Sequence, residues 1–531
     1  MTSEGQGVGR VDGFVVFVDG ALPGELVLVH IVKSTSSYAI GKLIEVLTPS
    51  ESRREAFCPV FDRCGGCSLQ HMSYEATLEY KTGVVKDALQ RIAGIAAGDV
   101  ERLVAPTIGM DQPLNYRNKA QYPIGKNNYR GWSGTGTPNG TPNGTANGTP
   151  NGTTNGVSNS AHGTNSAQNI THGTNSAQNP VCGFYAKRTH EIIPHDYCAI
   201  QDKTSGRVRE VVMNFLHQYP NELPAYDEST GRGLIRHLMT RVGFKTGEVM
   251  VVLVVTSKRI PRSDELVAEL KKEIPGLKSV FLNINSARTN IILGERCIKI
   301  HGEDLIFDKI GDLTFRISPL SFFQVNPAQT EVLYAKAIEY AALTGDERVY
   351  DLYCGTGTIG LFAAQNAHNV IGVESISEAV ADARANCRAN GITNAEFHVG
   401  LAEDLVEALL KVQTPAQTPA QTPAQIAGYA DVVFLDPPRK GCEQSLLDTL
   451  VTMAPSRIVY VSCNPATLAR DLKFLLANGY ALGDLGVRSV LGTGSEIIID
   501  DSTAFAVQPV DMFPWSSHVE CVVLMSRVEV K

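Results

Sequence analysis

The sequence predicts an α/β protein with a small β-domain at its N-terminus and a doubly wound sheet in its C-terminal part. From about Arg348 onward, short apolar strands alternate with helical segments, which is the pattern of a doubly wound α/β sheet. Residues 7–47 instead contain short strands separated by turns, at the spacing of a small β-barrel. A length of 531 residues accommodates both domains and a third between them.

Composition and charge exclude several classes of protein. A hydrophobic content of 43% excludes an intrinsically disordered chain, and a net charge of −8 excludes a strongly basic coat that binds any polyanion. No apolar run approaches the ~20 residues of a membrane span, and the first residues lack the features of a signal peptide. We therefore expect a cytoplasmic protein without membrane contact. Eleven cysteines are too few for a disulfide scaffold, which favours thiol, metal or catalytic uses.

The elements of the N-terminal half are predicted from local patterns. Strands are predicted over residues 13–18, 20–25 and 26–32, because each is an apolar run bounded by turn residues. A helical stretch is predicted over 73–95, where apolar side chains recur at helical spacing.

Two low-complexity segments interrupt the pattern. Residues 134–179 consist of Asn-Gly-Thr-Pro and His-Gly-Thr-Asn-Ser repeats with almost nothing to bury, so we expect a disordered insertion. Residues 413–425 repeat Thr-Pro-Ala-Gln between a helix and a strand, which predicts an expanded loop.

The C-terminal part alternates regularly. Strands are predicted over 349–352, 370–374, 431–435 and 457–462, and helices over 360–365 and 377–390. A glycine-rich turn, Asp-Leu-Tyr-Cys-Gly-Thr-Gly at 351–357, follows the first of these strands, and Glu374 ends the second. A carboxylate at that position accepts hydrogen bonds from the two hydroxyls of an adenosine ribose. The short Gly-x-Gly favours S-adenosylmethionine over a dinucleotide as the ligand.

Three further segments carry chemistry. Asp436-Pro-Pro-Arg-Lys-Gly441 follows an apolar strand and so lies at the sheet edge where α/β folds bind ligands, although an ordinary proline-rich turn also fits the pattern. Cys463 ends the next strand, where a thiolate is a nucleophile and a buried structural cysteine is the alternative. Glu520 precedes the last apolar strand and is either a general base or a solvated charge.

A set of cysteines indicates a metal centre. Cys58, Cys64 and Cys67, with Cys198 far downstream, are thiols that bind zinc or an iron–sulfur cluster when grouped. Cys182 competes with Cys198 for the fourth position.

Five motifs together identify a family. They are Cys58-x5-Cys-Gly-Gly-Cys followed by Gln70-His71, Ser-Phe-Phe-Gln-Val-Asn at 321–326, Asp-Pro-Pro-Arg-x-Gly at 436–441, Ser-Cys-Asn-Pro at 462–465, and His518-x-Glu520. In combination they resemble the RNA (uracil-5-)-methyltransferases of the ribosomal type, over almost the whole chain outside the two insertions. The resemblance implies an OB-like TRAM domain at 1–48 that lacks its first strand, a central α+β iron–sulfur domain at 49–310, and a Rossmann-like S-adenosylmethionine-dependent methyltransferase domain at 311–531.

The resemblance also implies a role for each site residue. The contacts to S-adenosylmethionine are Gln324, Tyr353, Glu374 and Asp436, the nucleophile is Cys463, and the general base is Glu520. The ligands of a [4Fe-4S] cluster are Cys58, Cys64, Cys67 and Cys198, with Cys198 preferred to Cys182 because it stands just ahead of a helix. Family members commonly carry a polar adenine contact where this chain has Leu401, so that contact is not expected here.

The implied reaction explains these residue types. Uracil C5 is too weak a nucleophile to take a methyl group directly, so the Cys463 thiolate adds to C6, C5 attacks the sulfonium methyl, and Glu520 removes the C5 proton. The target base must leave its stack to reach the thiol. No redox step is required, so we expect the cluster either to be structural or to help shape the RNA site. Local basic residues offset the negative net charge, namely Arg117, Lys119, Arg439 and Lys440.

The resemblance favours a monomer acting on large-subunit (23S) ribosomal RNA, because the transfer-RNA enzymes of the family are expected to lack the barrel and the cysteine set. Two alternatives stay open: 5-methyluridine formation in transfer RNA, and a non-catalytic iron–sulfur RNA-binding protein. Cys463 and Glu520 argue against the second. An amino-methyltransferase, which also uses a Pro-Pro loop, needs no downstream cysteine.

Overall fold

The computed structural model describes residues 1–126, 179–402, 404, 430–483 and 505–528. The predicted insertion 134–179 lies outside the described residues except for Asn179, and the repeat loop 413–425 lies wholly outside them. Within the described ranges, no helix is both long and apolar enough to cross a membrane.

The N-terminal domain is a four-stranded sheet. Its strands, in spatial order, are Gly7–Val11, Phe14–Asp19, Tyr38–Thr48 and Leu26–Ser34. The sequence predicts a small β-barrel here. Across residues 1–48, all of which are described, the two outer strands do not pair with each other, so the ladder of hydrogen bonds stays open between them. Its small core consists of Val16, Val18, Ala21 and Ala39.

The predicted strand over 20–25 is also wrong, because these residues form a turn. The backbone amide of Leu22 donates to Glu25 Oε2 at 2.8 Å, and the amide of Glu25 donates back to the Leu22 carbonyl at 3.3 Å. Gly24 has a φ of +79°, which a glycine adopts without steric cost. Pro23, which lacks an amide hydrogen, suits a turn better than a strand.

A seven-stranded sheet forms the middle of the molecule. Its strands, in spatial order, are Arg296–Gly302, Leu277–Ile284, Val249–Val255, Ile235–Val242, Lys119–Lys126, Pro180–Tyr185 and Ile192–Pro194. Helices Lys203–Gln218 and Ser263–Glu273 pack on one face. The other face contributes Met239 and Val252 to a core shared with Phe323 and Leu333 of the C-terminal part. The sheet is therefore buried between its own helices and the next domain.

The C-terminal part is built on an eight-stranded sheet. Seven strands lie in the order Ala395–Val399, Asn369–Glu374, Arg348–Leu352, Val432–Leu435, Arg457–Ser462, Glu520–Arg527 and Tyr480–Leu482, and Val507–Val510 also pairs with Glu520–Arg527. The first five are parallel, whereas Glu520–Arg527 runs antiparallel to its neighbours. The predicted α/β sheet is thus confirmed, with the addition of antiparallel pairing at the strand Glu520–Arg527, which makes the sheet mixed. A hairpin, Ile306–Ile310 with Leu313–Ile317, joins this domain to the middle one and spans the predicted boundary at 310.

Helices cover both faces of this sheet. One face carries Pro327–Ala341, Thr358–Ala363 and Ser377–Ala389. The other carries Tyr74–Ala88 with the π-helical turn Leu89–Ala93, then Ala97–Leu103, Gln444–Met453 and Pro465–Ala477. The helix predicted over 73–95 therefore exists, but Val85 and Leu89 pack on the C-terminal sheet although the sequence places them in the middle region.

Candidate active site

Four of the predicted site residues follow four neighbouring parallel strands. Tyr353, Glu374, Asp436 and Cys463 stand at or just beyond the carboxyl ends of Arg348–Leu352, Asn369–Glu374, Val432–Leu435 and Arg457–Ser462. Parallel strands end at the same edge of a sheet, and ligands of α/β folds bind there. The structure thus brings these four residues to one edge, as the sequence predicts.

Strand register adds Glu520 to this edge. In the antiparallel pair formed by Arg457–Ser462 and Glu520–Arg527, Ser462 lies opposite Cys521. Continuing the register by one residue sets Cys463 opposite Glu520. Residues directly opposite each other on antiparallel strands have neighbouring side chains. The candidate nucleophile and the candidate base are therefore neighbours although 57 positions separate them in the sequence.

Burial disfavours the charged forms of Asp436, Glu520 and Cys463, and repulsion between negative charges adds to this effect for Glu520 and Cys463. Burial raises the pKa of Asp436 to about 7 and, with the charge of Asp436, that of Glu520 to about 8. Burial, Glu520 and Asp436 also raise the pKa of the Cys463 thiol, while Arg439 acts in the opposite direction. A bound cation would lower all three pKa values, because it favours the charged form of each group.

The glycine-rich turn after Arg348–Leu352 is tightly packed. Tyr353 has a φ of +66°, uncommon for a residue with a side chain, and Gly357 has a φ of +79°. A Cβ on Gly357 would lie 2.9 Å from the ring of Phe397. The amide of Gly360 donates to Asp351 Oδ2 at 2.7 Å. Burial, with a smaller contribution from the charges of Asp436 and Glu374, raises the pKa of Asp351 to about 8.

Glu374 is oriented by backbone donors. The amide of Gly355 donates to its Oε2 at 3.2 Å, and the amide of Ile376 donates to its Oε1 at 3.0 Å. Ser375 Oγ also donates to Oε1, at 3.0 Å, so Oε2 is the oxygen that keeps a further lone pair for a ligand hydroxyl. Leu401 follows the adjacent strand Ala395–Val399 and is 52% exposed, so it offers an apolar surface but no polar group.

Gln324 belongs to a segment fixed by both domains. The Asn118 side chain donates to the Gln324 carbonyl at 3.0 Å, and the Asn118 amide donates to the Val325 carbonyl at 3.0 Å. Two residues on, Asn326 caps the helix Pro327–Ala341 by accepting from the Gln329 amide at 3.2 Å. Gln324 itself is buried. Its backbone is thus held at the junction of the central sheet and the C-terminal domain.

A brace behind the Asp-Pro-Pro-Arg loop was not predicted from the sequence. Asp471 Oδ2 accepts from the Cys442 amide at 2.8 Å and from the Tyr460 hydroxyl at 2.7 Å. Arg470 pairs with Asp471 and donates to the carbonyls of Lys440 and Cys442 at 3.0 and 3.1 Å. These contacts fix the loop after Asp436 onto the helix that follows Cys463. The adjacent Arg470-Asp471 pair, which begins seven residues after the candidate nucleophile, is the only signal in the sequence that points to it.

Tyr334 is a second residue that the sequence reasoning missed. It is buried on the helix Pro327–Ala341, and its hydroxyl lies 3.0 Å from Thr358 Oγ1. Burial and the charges of Asp436 and Glu520 raise its pKa far above the ordinary range. Tyr334 therefore lies beside the carboxyl cluster as a neutral phenol.

The four predicted cysteine ligands influence one another. Burial, with a smaller contribution from negative charge on Cys198, Cys64 and Cys58, raises the pKa of Cys67 to about 12. Burial raises the pKa of Cys198 to about 11, with the same effect from Cys64 and Cys58. Cys67 and Cys198 also pack against one cluster of buried residues, Tyr116, Ile200 and Trp515. The chain thus brings Cys198 next to the 58–67 segment across more than 130 positions of sequence.

Cys182 lies apart from this group. It is buried on the strand Pro180–Tyr185, in the core under the central sheet, and Arg209 is the one charged group that alters its pKa. Within the part of the chain that the structure describes, no three His, Cys, Asp or Glu side chains are arranged to hold a metal ion.

Comparison with known proteins identifies the family. A model of the tRNA (uracil-5-)-methyltransferase family matches residues 236–481, and a TRAM domain model matches 1–44. An uncharacterized RNA methyltransferase of Caldanaerobacter subterraneus is 43% identical over 99% of this chain and 96% of its own length. Another from Halalkalibacterium halodurans is 40% identical over 99% of this chain and 95% of its own. The chain belongs to the RNA uracil-5-methyltransferase family.

A solved structure supports the fold of this family member. The Pyrococcus abyssi tRNA (uracil-54, C5)-methyltransferase, crystallised with S-adenosyl-L-homocysteine, has a TM-score of 0.65 and 24% identity, over 99% of this chain and 100% of that one. The fold is that of an S-adenosylmethionine-dependent methyltransferase with an N-terminal TRAM domain. The prediction of an RNA methyltransferase is therefore confirmed. The roles of individual residues, the cluster and the ribosomal substrate stay predictions.

Proposed function

We propose that this enzyme transfers the methyl group of S-adenosylmethionine to C5 of a uracil in 23S ribosomal RNA, through a covalent bond between Cys463 and C6. The observation that carries the proposal is the strand register that faces Cys463 with Glu520 at the ligand-binding edge of the sheet. A nucleophile and a proton acceptor on adjacent strands can act on the adjoining carbons C6 and C5 of one ring.

The carboxyl cluster supports a cationic cosubstrate. Asp351, Asp436 and Glu520 all have raised pKa values because burial disfavours their charged forms. A sulfonium among them would compensate that cost by direct attraction. We assign Glu374 to the ribose hydroxyls and Gln324, Tyr353 and Asp436 to the rest of the cosubstrate.

The chemistry then proceeds in three steps. Cys463 loses its proton and its sulfur bonds to C6, which moves the C5–C6 π electrons towards the C4 carbonyl as an enolate. C5 attacks the methyl carbon, the bond from methyl to sulfonium breaks, and S-adenosylhomocysteine forms. Glu520 takes the C5 proton, the C5–C6 double bond returns, and the thiolate leaves. Arg439, which favours the ionised form of Cys463, assists the first and last steps.

We also propose that Cys58, Cys64, Cys67 and Cys198 hold a [4Fe-4S] cluster. The mutual influence of the four thiols supports this set, and the separate position of Cys182 argues against the alternative. An arrangement that does not suit one metal ion is compatible with a cluster, in which each thiolate binds a different iron. When bound, the cluster would supply a structural cross-link.

The segment beside these cysteines explains why such a cross-link matters. The amides of Ser68 and Leu69 donate to the Trp515 carbonyl at 2.9 and 3.0 Å. Trp515 lies five residues before Glu520. A cross-link that fixes the 58–67 segment would therefore also fix residues 515–519, which precede the proposed base Glu520.

Transfer RNA is the second candidate substrate. The family model carries the name of the transfer-RNA activity, and the fold of the P. abyssi transfer-RNA enzyme matches 99% of this chain. Because that match spans the N-terminal domain as well, the presence of this domain does not by itself favour ribosomal over transfer RNA, whereas the expected difference in the cysteine set stays a prediction.

Mapping 5-methyluridine in both RNA classes from cells that lack the gene tests the proposal. We expect the modification to disappear from one or two positions of 23S ribosomal RNA and to return with the wild-type gene but not with Cys463→Ala. If 5-methyluridine is lost only from transfer RNA, the substrate is transfer RNA and not ribosomal RNA. Unchanged 5-methyluridine in both RNA classes would contradict the proposed uracil methylation. Purified enzyme with unmodified transcripts of each RNA provides the matching measurement in vitro.

A further inference from the structure

The loop that leads to Glu520 is closed by an antiparallel strand pair. The strands Val507–Val510 and Glu520–Arg527 pair with Val510 opposite Glu520. Residues 511–519 connect them, so this 511–519 loop begins and ends beside the proposed base. Because Glu520 is the first residue of its strand and is buried, its position depends on how the loop is held.

Asp511, the first residue of this loop, forms an ion pair with Lys81. Lys81 lies on the helix that begins at Tyr74, 430 positions earlier in the sequence than Asp511, and neither charged side chain is exposed to solvent. Asp511 Oδ2 also accepts from the Tyr74 hydroxyl at 2.9 Å. Lys81 Nζ donates in addition to the Phe513 carbonyl at 3.1 Å. The pair therefore attaches both a side chain and a backbone group of the loop to that helix.

A second helix holds the same end of the loop. The Gln329 side chain donates to the Asp511 carbonyl at 3.2 Å. The Asn326 side chain, which caps this second helix, donates to the Met512 carbonyl at 3.1 Å. The two helices lie on opposite faces of the C-terminal sheet. Asp511 is thus held from both sides, by a charged partner on one side and by neutral hydrogen bonds on the other.

Burial makes this ion pair an inefficient source of stability. Desolvation lowers the pKa of Lys81, whereas the charge of Asp511 acts in the opposite direction. Replacing a buried ion pair by uncharged side chains is often neutral or stabilising, because the cost of desolvation offsets the attraction between the charges. In some proteins buried polar groups instead specify a single arrangement of the chain. The place of this pair, one residue beyond the strand partner of Glu520, fits that second role.

We propose that Lys81 and Asp511 form a positioning pair, which fixes the 511–519 loop and thereby orients Glu520 to remove the C5 proton. The inference rests on the proposed function and adds to it two buried residues that act through the loop. Cys463 follows a different strand, Arg457–Ser462. Formation of the bond to C6 and methyl transfer should therefore depend on the pair less than proton removal does.

The double variant Lys81→Met with Asp511→Asn tests the pair without leaving a buried charge unpaired. Methyl-labelled S-adenosylmethionine, an unmodified RNA transcript and denaturing electrophoresis of quenched single turnovers separate formation of the covalent adduct from its decay. We expect decay to slow about ten- to hundredfold while formation stays within about twofold of the wild type. The matched control is Lys86→Met with Glu101→Gln, which neutralises a partly exposed ion pair of the same helix and should leave both rates unchanged.

Hydrogen exchange of the loop provides a readout that involves no chemistry. Measured by mass spectrometry without RNA or cosubstrate, exchange of the amides in 511–520 should be about tenfold faster or more in the double variant. Exchange in the strand Arg457–Ser462 should stay at the wild-type rate, and the control variant should match the wild type in both segments.

Wild-type exchange in the loop, or faster exchange with wild-type decay of the adduct, would overturn the positioning pair. Equal slowing of formation and decay would also overturn it, because the contact would then be structural only. If the double variant does not fold, Asp511→Asn alone, which keeps an acceptor for the Tyr74 hydroxyl, provides the same measurements and the same criteria.

Failure of the proposed function gives a different result. If Glu520→Gln traps no adduct, the proposed base is wrong whatever the double variant does, and exchange alone then decides whether the pair fixes the loop. If Glu520→Gln traps the adduct and the double variant does not slow its decay, only the positioning role is wrong.

Discussion

Cys463 and Glu520 are neighbours at the end of a strand pair: each adjoins the last paired residues, Ser462 and Cys521, and burial, together with the charge of Glu520, raises the pKa of Cys463. Cys463 follows the parallel strand Arg457–Ser462, and Glu520 begins the antiparallel strand Glu520–Arg527. The two strands are separated by 57 residues of sequence. A candidate nucleophile and a candidate base are therefore neighbours at the ligand-binding edge of the sheet, and substitutions of the two residues should block different steps of the reaction.

We expect Cys463→Ala and Glu520→Gln to fail at different steps. Cys463→Ala should give no detectable methylation, because nothing else activates C5, while S-adenosylhomocysteine still binds. Glu520→Gln should permit attack and methyl transfer but slow proton removal by about 10²–10⁴-fold, so that methylated RNA stays joined to the enzyme. Denaturing electrophoresis with methyl-labelled cosubstrate measures that adduct. Normal turnover by Glu520→Gln, or an equally stable adduct with Cys463→Ala, would show that the assignment is wrong.

The raised pKa of Glu520 predicts how stability depends on pH. Its pKa is about 8 in the folded protein against an ordinary 4.5, so the folded state binds a proton that the unfolded state releases between these values. The resulting contribution to the free energy of unfolding is complete below about pH 4.5 and is lost as the pH rises through about 8.

Glu520→Gln removes this titration. We expect its melting temperature to fall less than that of the wild type between about pH 6 and 9, by at least about 2 °C in a thermal scan. The exposed Glu75 provides the control, since Glu75→Gln should follow the wild-type curve. Parallel curves for wild type and Glu520→Gln would contradict the raised pKa.

The brace of Arg470 and Asp471 predicts a positioning effect. Arg470→Met removes the donors to the Lys440 and Cys442 carbonyls, so the loop after Asp436 should lose its fixed position. We expect kcat to fall about tenfold or more, with partial recovery in Arg470→Lys, and a smaller change in the KM for RNA. The exposed Lys473 lies on the same helix, and Lys473→Met should leave both constants unchanged. If Arg470→Met is less stable but its folded fraction has the wild-type kcat, the contacts of Arg470 are structural only and do not position the loop for catalysis.

The cysteine set predicts a metal content. Protein purified without oxygen should contain about four iron and four sulfide per chain. Cys198→Ser should lower both, because this thiol lies with the other three, whereas Cys182→Ser should retain them, because Cys182 is in the core under the central sheet. Iron and sulfide analysis measures the result. Zinc without sulfide would contradict the cluster, and the opposite behaviour of the two variants would reassign the fourth ligand.

The sequence by itself determined the elements whose signals are local. The strand Arg457–Ser462 is found at the predicted residues, because a short continuous apolar run of this kind is typical of a parallel strand buried on both faces of a sheet. The glycine-rich turn, Glu374, Asp436 and Cys463 were placed at one edge because parallel strands end together. The strand predicted over 20–25 is wrong, since Ala21 and Leu22 are apolar and buried yet lead into a turn that contains Pro23 and Gly24.

The tertiary structure decided what depends on register and on contacts between distant segments. No local pattern sets Cys463 or Val510 beside Glu520, because a shift of one residue in either strand pair would turn the side chains to the other face. The proximity of Cys198, rather than Cys182, to the 58–67 segment likewise depends on how distant parts of the chain pack, and the choice of Cys198 as the fourth ligand stays a prediction. Apolar periodicity specifies which face of an element is buried, whereas the partner it meets is fixed only when the separate cores pack together.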